Sequence, residues 1–246
     1  MPLSRRSFVA TAATLAAGAA SAPAVRALEH ATHAPVDDPL GVRADFPAVR
    51  EALYLNSAYI TPVPTSVVAA GRDFIERKST RPISLGEMLA QTDVVRSQFA
   101  RLVNASSDEI GFLFATSEGE NIVANALDLK AGDNVVIDAL HYETEFVLYG
   151  HLRDTRGVEL RVAPHRDGAV HIRDVERLVD RRTRLLSVAW CDVERLVDRR
   201  TRLLSVAWVS HQNGFRHEMR PLADLAHAHG ALFYTDAIQA AGMIPI

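Results

Sequence analysis

A mainly parallel sheet flanked by helices, an α/β fold, is what this 246-residue sequence predicts, and three observations predict it. From Phe46 onward, stretches of helical periodicity alternate with short apolar runs, as strands covered by helices require. Repeated strand–helix units force neighbouring strands to run parallel, because each crossover returns the chain to the same end of the sheet. Composition agrees: 48% hydrophobic and 23% charged residues is the balance of a globular chain.

Residues 1–27 read as an address. Ser4-Arg5-Arg6-Ser7-Phe8-Val9 precedes a weakly apolar, alanine-rich run from Ala10 to Ala20 without an acid, the layout of a twin-arginine signal peptide. That run is too short and weak to be a stable membrane anchor, and Ala22-Pro23-Ala24 and Val25-Arg26-Ala27 offer small-residue cleavage sites. The expectation is an exported protein, periplasmic or secreted, with residues 28–45 as a flexible leader and 46–246 as one partial large domain.

The elements follow in order. Helices are expected over Ser66–Lys78 and Ser84–Val103, then a strand over Ile110–Phe114. Ser117–Leu129 reads as a helix with Ile122, Val123, Ala126 and Leu127 on one face. Asn134–Ile137 reads as a strand ending at Asp138, followed by a helix over Glu143–Arg153 and a strand over Glu159–Val162. A further helix starts near Asp174. Pro221–His229 carries proline in its first turn and Gly230 past its end, both helix boundary signals, and Ala231–Thr235 is the strand after it.

One stretch is irregular. Asp174–Trp190 reads DVERLVDRRTRLLSVAW, and Asp192–Trp208 repeats it without a change, giving an 18-residue unit. Two perfect copies point to a recent tandem duplication or an assembly error, since functional repeats drift and need more copies to share a core. A sheet with one vacancy takes one strand. The expectation is that Leu203–Trp208 fills it, because it leads directly into Val209-Ser210-His211, while the first copy extends the preceding helix in phase.

Several function classes are excluded on residues. A formal charge of −3, from 27 basic and 30 acidic residues spread along the chain, leaves no basic stripe for nucleic acid. Cys191, the single cysteine, cannot form an internal disulfide or a multi-thiolate metal site. G-x-S-x-G, G-x-G-x-x-G and G-x-x-x-x-G-K-[ST] are absent. His227 and His229 point apart on a helix, so no metal is expected there.

Candidate chemistry sits where strands end, as in open α/β sheets. Phe114-Ala115-Thr116-Ser117-Glu118-Gly119 enters a helix whose free N–H groups and positive end suit a phosphate, with the Thr116 and Ser117 hydroxyls as further donors. Leu232-Phe233-Tyr234-Thr235-Asp236-Ala237-Ile238-Gln239 ends a strand with an acid and places an amide three residues on.

Together with Val209-Ser210-His211-Gln212-Asn213-Gly214, and with His229-Gly230-Ala231 ahead of Asp236-Ala237-Ile238-Gln239-Ala240-Ala241-Gly242, these segments resemble the class V aminotransferase family, the cysteine desulfurase-like enzymes of fold type I. The resemblance runs from about Tyr54 to the C-terminus. It implies pyridoxal 5'-phosphate (PLP) as cofactor and the PLP-dependent transferase-like large domain as fold. It also implies a small amino-acid substrate and a homodimer. By resemblance Asp236 pairs with the pyridine nitrogen, Gln239 and His211 lie near the phenolic oxygen, and Thr116, Ser117 and Gly119 form the phosphate turn. His141 or Tyr142 stacks on the ring, and Asn56 and Ser57 match the substrate-side segment.

The family's Schiff-base lysine follows the aspartate by roughly two dozen residues, so the expectation is a domain incomplete at its C-terminus. The two lysines present, Lys78 and Lys130, sit in a charged helix end and a turn. Two readings follow. One is an enzyme of desulfurase, epimerase, lyase or transaminase type, inactive in this form. The other is a catalytically dead remnant with at most weak PLP binding or a protein-interaction role.

Overall fold

The computed structural model describes residues 38–189 and 193–246. The signal peptide expected at 1–27 and the leader up to residue 37 lie outside the described residues, as do 190–192. The chain divides into two units, Met1–Tyr54 with Pro62–Ala69 and Leu55–Thr61 with Ala70–Ile246. In the first, the Asp38 carboxylate accepts the N–H groups of Val42 and Arg43 at 3.2 and 3.0 Å, ahead of a 3-10 turn Arg43–Asp45 and a short helix α1, Ala48–Glu51.

The second helix, α2, spans Thr65–Thr80, and α3 spans Leu85–Leu102. A reciprocal cap starts α3: Ser84 Oγ accepts the Glu87 N–H, and the Glu87 carboxylate accepts the Ser84 N–H at 3.0 Å. Then come α4 (Thr116–Ala126), β1 (Asn134–Asp138), α5 (Glu143–Arg156), β2 (Glu159–Ala163), the short strands β3 (His165–Arg166) and β4 (Ala169–Val170), and α6 (Ile172–Glu176). β5 (Thr183–Val188), β6 (Leu203–Ala207), α7 (Met219–Ala228) and β7 (Leu232–Asp236) complete the order.

Five strands form one parallel sheet in the order β2-β1-β5-β6-β7. Alternate residues face opposite sides. Val136, Leu186, Val188, Leu204 and Val206 join one buried cluster with Leu222 and Ala226 of α7, and Val135, Ile137, Leu185 and Leu203 join another with Ala124 of α4 and Leu148, Tyr149 and Leu152 of α5. Both faces are therefore covered, which is why these strands read as continuous apolar runs.

The repeat departs from expectation: both copies enter the sheet. β5 and β6 pair in parallel with identical residues side by side, Leu185↔Leu203, Leu186↔Leu204, Ser187↔Ser205 and Val188↔Val206. The first copy does not prolong a helix, for α6 ends at Glu176. Leu185, Leu186 and Val188 carry side chains for both sheet faces and are fully buried, which a solvated helix extension would not provide. The preceding turns also repeat bond for bond. Asp180 N–H donates to Thr183 Oγ1 at 3.0 Å and Asp198 N–H to Thr201 Oγ1 at 3.2 Å. Each copy brings its own cover, Val175 and Leu178 from the first, Val193 and Leu196 from the second.

Two smaller readings also change. Ile110–Phe114 makes no strand, since no described strand lies alongside it, and Phe114 is fully exposed. On α4 the buried positions are Glu120 and Ala124, while Ile122 is exposed. No helix among the described residues is long and apolar enough to cross a membrane.

If both copies belong to the core, Leu186→Ala and Leu204→Ala each lower the unfolding free energy by about 2–5 kcal/mol. Urea midpoints measure this. A cost within about 0.5 kcal/mol for either one would place that copy in solvent.

Candidate functional site

The C-terminal ends of β1, β5, β6 and β7 open onto a cavity of about 520 Å³. It lies within the second unit, and its lining includes Asn56, Thr116, Ser117, His141, Tyr142, His211, Asp236 and Gln239. Each of these was picked out by the sequence. Ser57 and Gly119 are not among the lining residues. Ser57 instead offers its carbonyl to the Thr61 hydroxyl at 2.7 Å. Gly119 lets α4 approach closely, for a Cβ there would meet Leu113 Cδ1 at 3.1 Å. A smaller hollow at Leu102 and Gly242–Ile246 has no titratable lining side chain.

Asp138 is the first residue to account for, because it sets the floor. This fully buried carboxylate ends β1 and accepts the Leu140 N–H at 2.9 Å and the Ala189 N–H at 2.6 Å. It ties the turn that carries His141 to the end of β5. Those backbone donors satisfy the buried carboxyl in place of water.

His141 is buried, and its Nε2 is hydrogen-bonded to Ser187 Oγ at 2.8 Å. Burial, with His211 nearby, holds its pKa down at about 3, so the imidazole is neutral at ordinary pH. Tyr142 is partly exposed and meets the His211 ring edge-on at 5.4 Å. Partial burial also lowers the pKa of His211, against the pull of Asp236 and Glu143.

Asp236 stands at the end of β7 and accepts the Ile238 N–H at 2.8 Å. Burial raises its pKa, while that N–H and His211 lower it. The acid thus faces the cavity without a full counter-charge. Thr116 and Ser117 open α4 behind Ala115, where first-turn N–H groups point outward.

Sequence reasoning missed a second layer. Glu120 of α4 is buried and accepts the hydroxyl of the fully buried Tyr149 at 3.0 Å. Two buried polar pairs therefore lie behind the cavity wall, Ser187 with His141 and Tyr149 with Glu120. Burial pushes the Glu120 pKa up to about 7, with Tyr149 pulling it down and Asp236 adding to the rise. Glu145 of α5 also lines the cavity, and its buried Oε2 has no hydrogen-bond partner among the described residues. Only a carboxylate inside an otherwise amphipathic helix signals such residues in a sequence. No lysine lines the cavity, and the described residues hold no group of three or more His, Cys, Asp or Glu that could bind a metal.

The family described as Aminotransferase class-V matches residues 53–194 and 187–246, two stretches that overlap inside the repeat. A probable cysteine desulfurase of Methanothermobacter thermautotrophicus is 33% identical over an alignment of 211 residues that covers 83% of this chain and 48% of that protein. A cysteine desulfurase of Klebsiella pneumoniae is 33% identical over an alignment of 222 residues that also covers 83% of this chain, and 50% of the relative. The chain thus spans about half the length of the curated relatives it matches. Among solved structures, the apo cysteine desulfurase of Thermococcus onnurineus NA1 is similar with a TM-score of 0.63 and 25% identity, over 86% of this chain and 50% of that one.

Glu120 gives a pH signature. Its pKa is raised on folding from 4.5 to about 7, so the folded state favours the neutral acid, and stability present below pH 4.5 is lost as pH rises through 7. The loss is about 3 kcal/mol at most. Glu120→Gln should gain stability relative to the parent chain between pH 5 and pH 8 in urea titrations. An equal difference at the two pH values contradicts a buried, titrating Glu120.

Proposed function

The chain belongs to the class V aminotransferase family, and on that premise we propose that its cavity seats pyridoxal 5'-phosphate for chemistry on a small amino acid. The observation that carries the reading is the convergence of Thr116, Ser117, His141, Tyr142, His211, Asp236 and Gln239 on one cavity. When bound, PLP supplies an electron sink for charge at a substrate's α-carbon.

The residues present fit the group. The first turn of α4 offers N–H groups and two hydroxyls to the phosphate, at the end of the helix that favours an anion. Asp236, raised in pKa by burial, suits a protonated ring nitrogen and would hold a proton there. His141, neutral and fixed by Ser187 at the cavity wall, would be the flat ring for the cofactor to stack on, and we assign that role to it over the more exposed Tyr142. His211 and Gln239 are the donors for the phenolic oxygen, and Asn56 is the lining residue on the substrate side.

The relatives are named cysteine desulfurases, so desulfuration is the reaction class we favour over epimerisation, elimination or transamination. With no lysine in the cavity lining, PLP is held by non-covalent contacts, and the amine that begins the family's chemistry has no counterpart there. The expected behaviour of this polypeptide is cofactor binding without turnover. A non-catalytic remnant is the second reading, favoured by the same observation. Export by the twin-arginine route, to the periplasm or beyond, is part of the proposal and rests on Arg5-Arg6 and the alanine-rich run after them.

Titration with PLP, followed by the cofactor's absorbance and by protein fluorescence, tests the seat. Saturable binding is expected, without sulfide release from cysteine. Ser117→Asp should weaken it roughly tenfold or more by setting a carboxylate against the phosphate, while the helix start tolerates an acid. Binding that is absent, or indifferent to Ser117→Asp, removes the proposal.

A further inference from the structure

The repeat does not merely enlarge the sheet; it lies across the site. β1, whose end carries His141 and Tyr142, and β7, whose end carries Asp236 and Gln239, are separated by two strands that are copies of each other. Identical residues stand at the same height in both, Ser187 beside Ser205 and Val188 beside Val206. The outer registers match as well. β1 meets the first copy with Ile137 opposite Ser187, and β7 meets the second with Tyr234 opposite Ser205. Removing one copy is therefore a sideways step of one strand, about 4.8 Å, with no change of height or of facing.

We infer that one copy of the 18-residue repeat is a spacer within the cofactor seat, setting Asp236 one strand farther from His141 than a single copy would, so that one pyridine ring engages the two less closely than it would in the shortened chain. The family match points the same way. It breaks into two stretches within the repeat, as expected where a continuous pattern meets an inserted copy. The contacts around the spacer are transferable. Ser187 hydrogen-bonds His141 and Ala189 N–H donates to Asp138, and Ser205 and Ala207 are the equivalent residues of the second copy. Deleting residues 174–191 joins Arg173 to Asp192, restores the original local sequence DVERLVDRRTRLLSVAW, and leaves Val209-Ser210-His211 attached to the remaining strand. In the shortened chain that strand pairs with β1 on one side and β7 on the other, in the registers already observed.

This inference rests on the PLP seat proposed above, and one experiment separates the two. PLP is titrated into the full chain, the chain lacking 174–191, and Asp236→Asn in each background, with cooperative unfolding recorded for all four. The shortened chain is expected to unfold cooperatively and to bind PLP roughly tenfold or more tightly, and Asp236→Asn is expected to weaken binding several-fold more in the shortened chain than in the full one. Equal affinity in the two lengths, or an equal effect of Asp236→Asn in both, would falsify the spacer while leaving the seat intact. A shortened chain that does not fold also overturns it, since an in-register strand must be removable. No PLP binding in any of the four counts against the seat itself.

Discussion

The Asp138 carboxylate is the contact on which the site depends. A parallel sheet sends every strand end of one polarity to one edge, so loops of separate origin crowd there with unpaired N–H groups. Asp138 takes two of them, from Leu140 in the turn after β1 and from Ala189 after β5. Without that bridge the His141 turn would be an ordinary surface connection. With it, His141 is buried against Ser187, and its ring has a defined position at the cavity wall. The remaining features of that wall are built on this anchoring: the Tyr149 and Glu120 pair behind it, and the neutral state of the imidazole.

The same sheet physics explains how a perfect duplication is absorbed. An inserted segment is tolerated when it hides its own apolar surface and satisfies its own backbone. Each copy supplies a strand whose ladder can be extended on both sides, a turn closed by Asp and Thr, and two or three apolar residues to cover one face. The connection between the copies, residues 189–202, is of the length a parallel crossover needs. Stability therefore selects weakly against the insert. Function is more exacting, because a site assembled from several strand ends is sensitive to the distance between them.

Much of this was legible in the sequence where the signal is local. The start of α3 at Ser84, the apolar run ending at Asp138, and the stop at Gly230 are set by a few neighbouring residues, and those boundaries fell close to where the residues placed them, although α7 begins at Met219, two residues ahead of Pro221. The Asp167-Gly168 pair, both residues with positive φ, is a hairpin signal that was present and not read. What the sequence could not carry is contact between distant elements. Glu120 finds Tyr149 across 29 positions and His141 finds Ser187 across 46, and nothing near any of the four announces the partner. The repeat misled for a related reason: a vacancy count assumes a fixed sheet, whereas a parallel sheet accepts another strand wherever both ladders continue in register.

The electrostatics of the cavity argue for a ligand that brings positive charge. Asp236, Glu120 and Glu145 line it, no lysine or arginine does, and its two imidazoles, His141 and His211, both have pKa values lowered by burial. Burial raises the pKa of Asp236, which its single backbone donor at Ile238 and the neighbouring His211 only partly offset. A group kept in that condition is most comfortable when a proton-bearing nitrogen arrives, because the pairing removes the desolvation cost that folding left uncompensated. A phosphate needs the opposite environment, and the chain supplies it in the same cavity at the start of α4 rather than with cationic side chains. A ligand with an anionic tail and a basic aromatic ring is the species that satisfies both ends. The strand spacing then decides how well one rigid ring can do so.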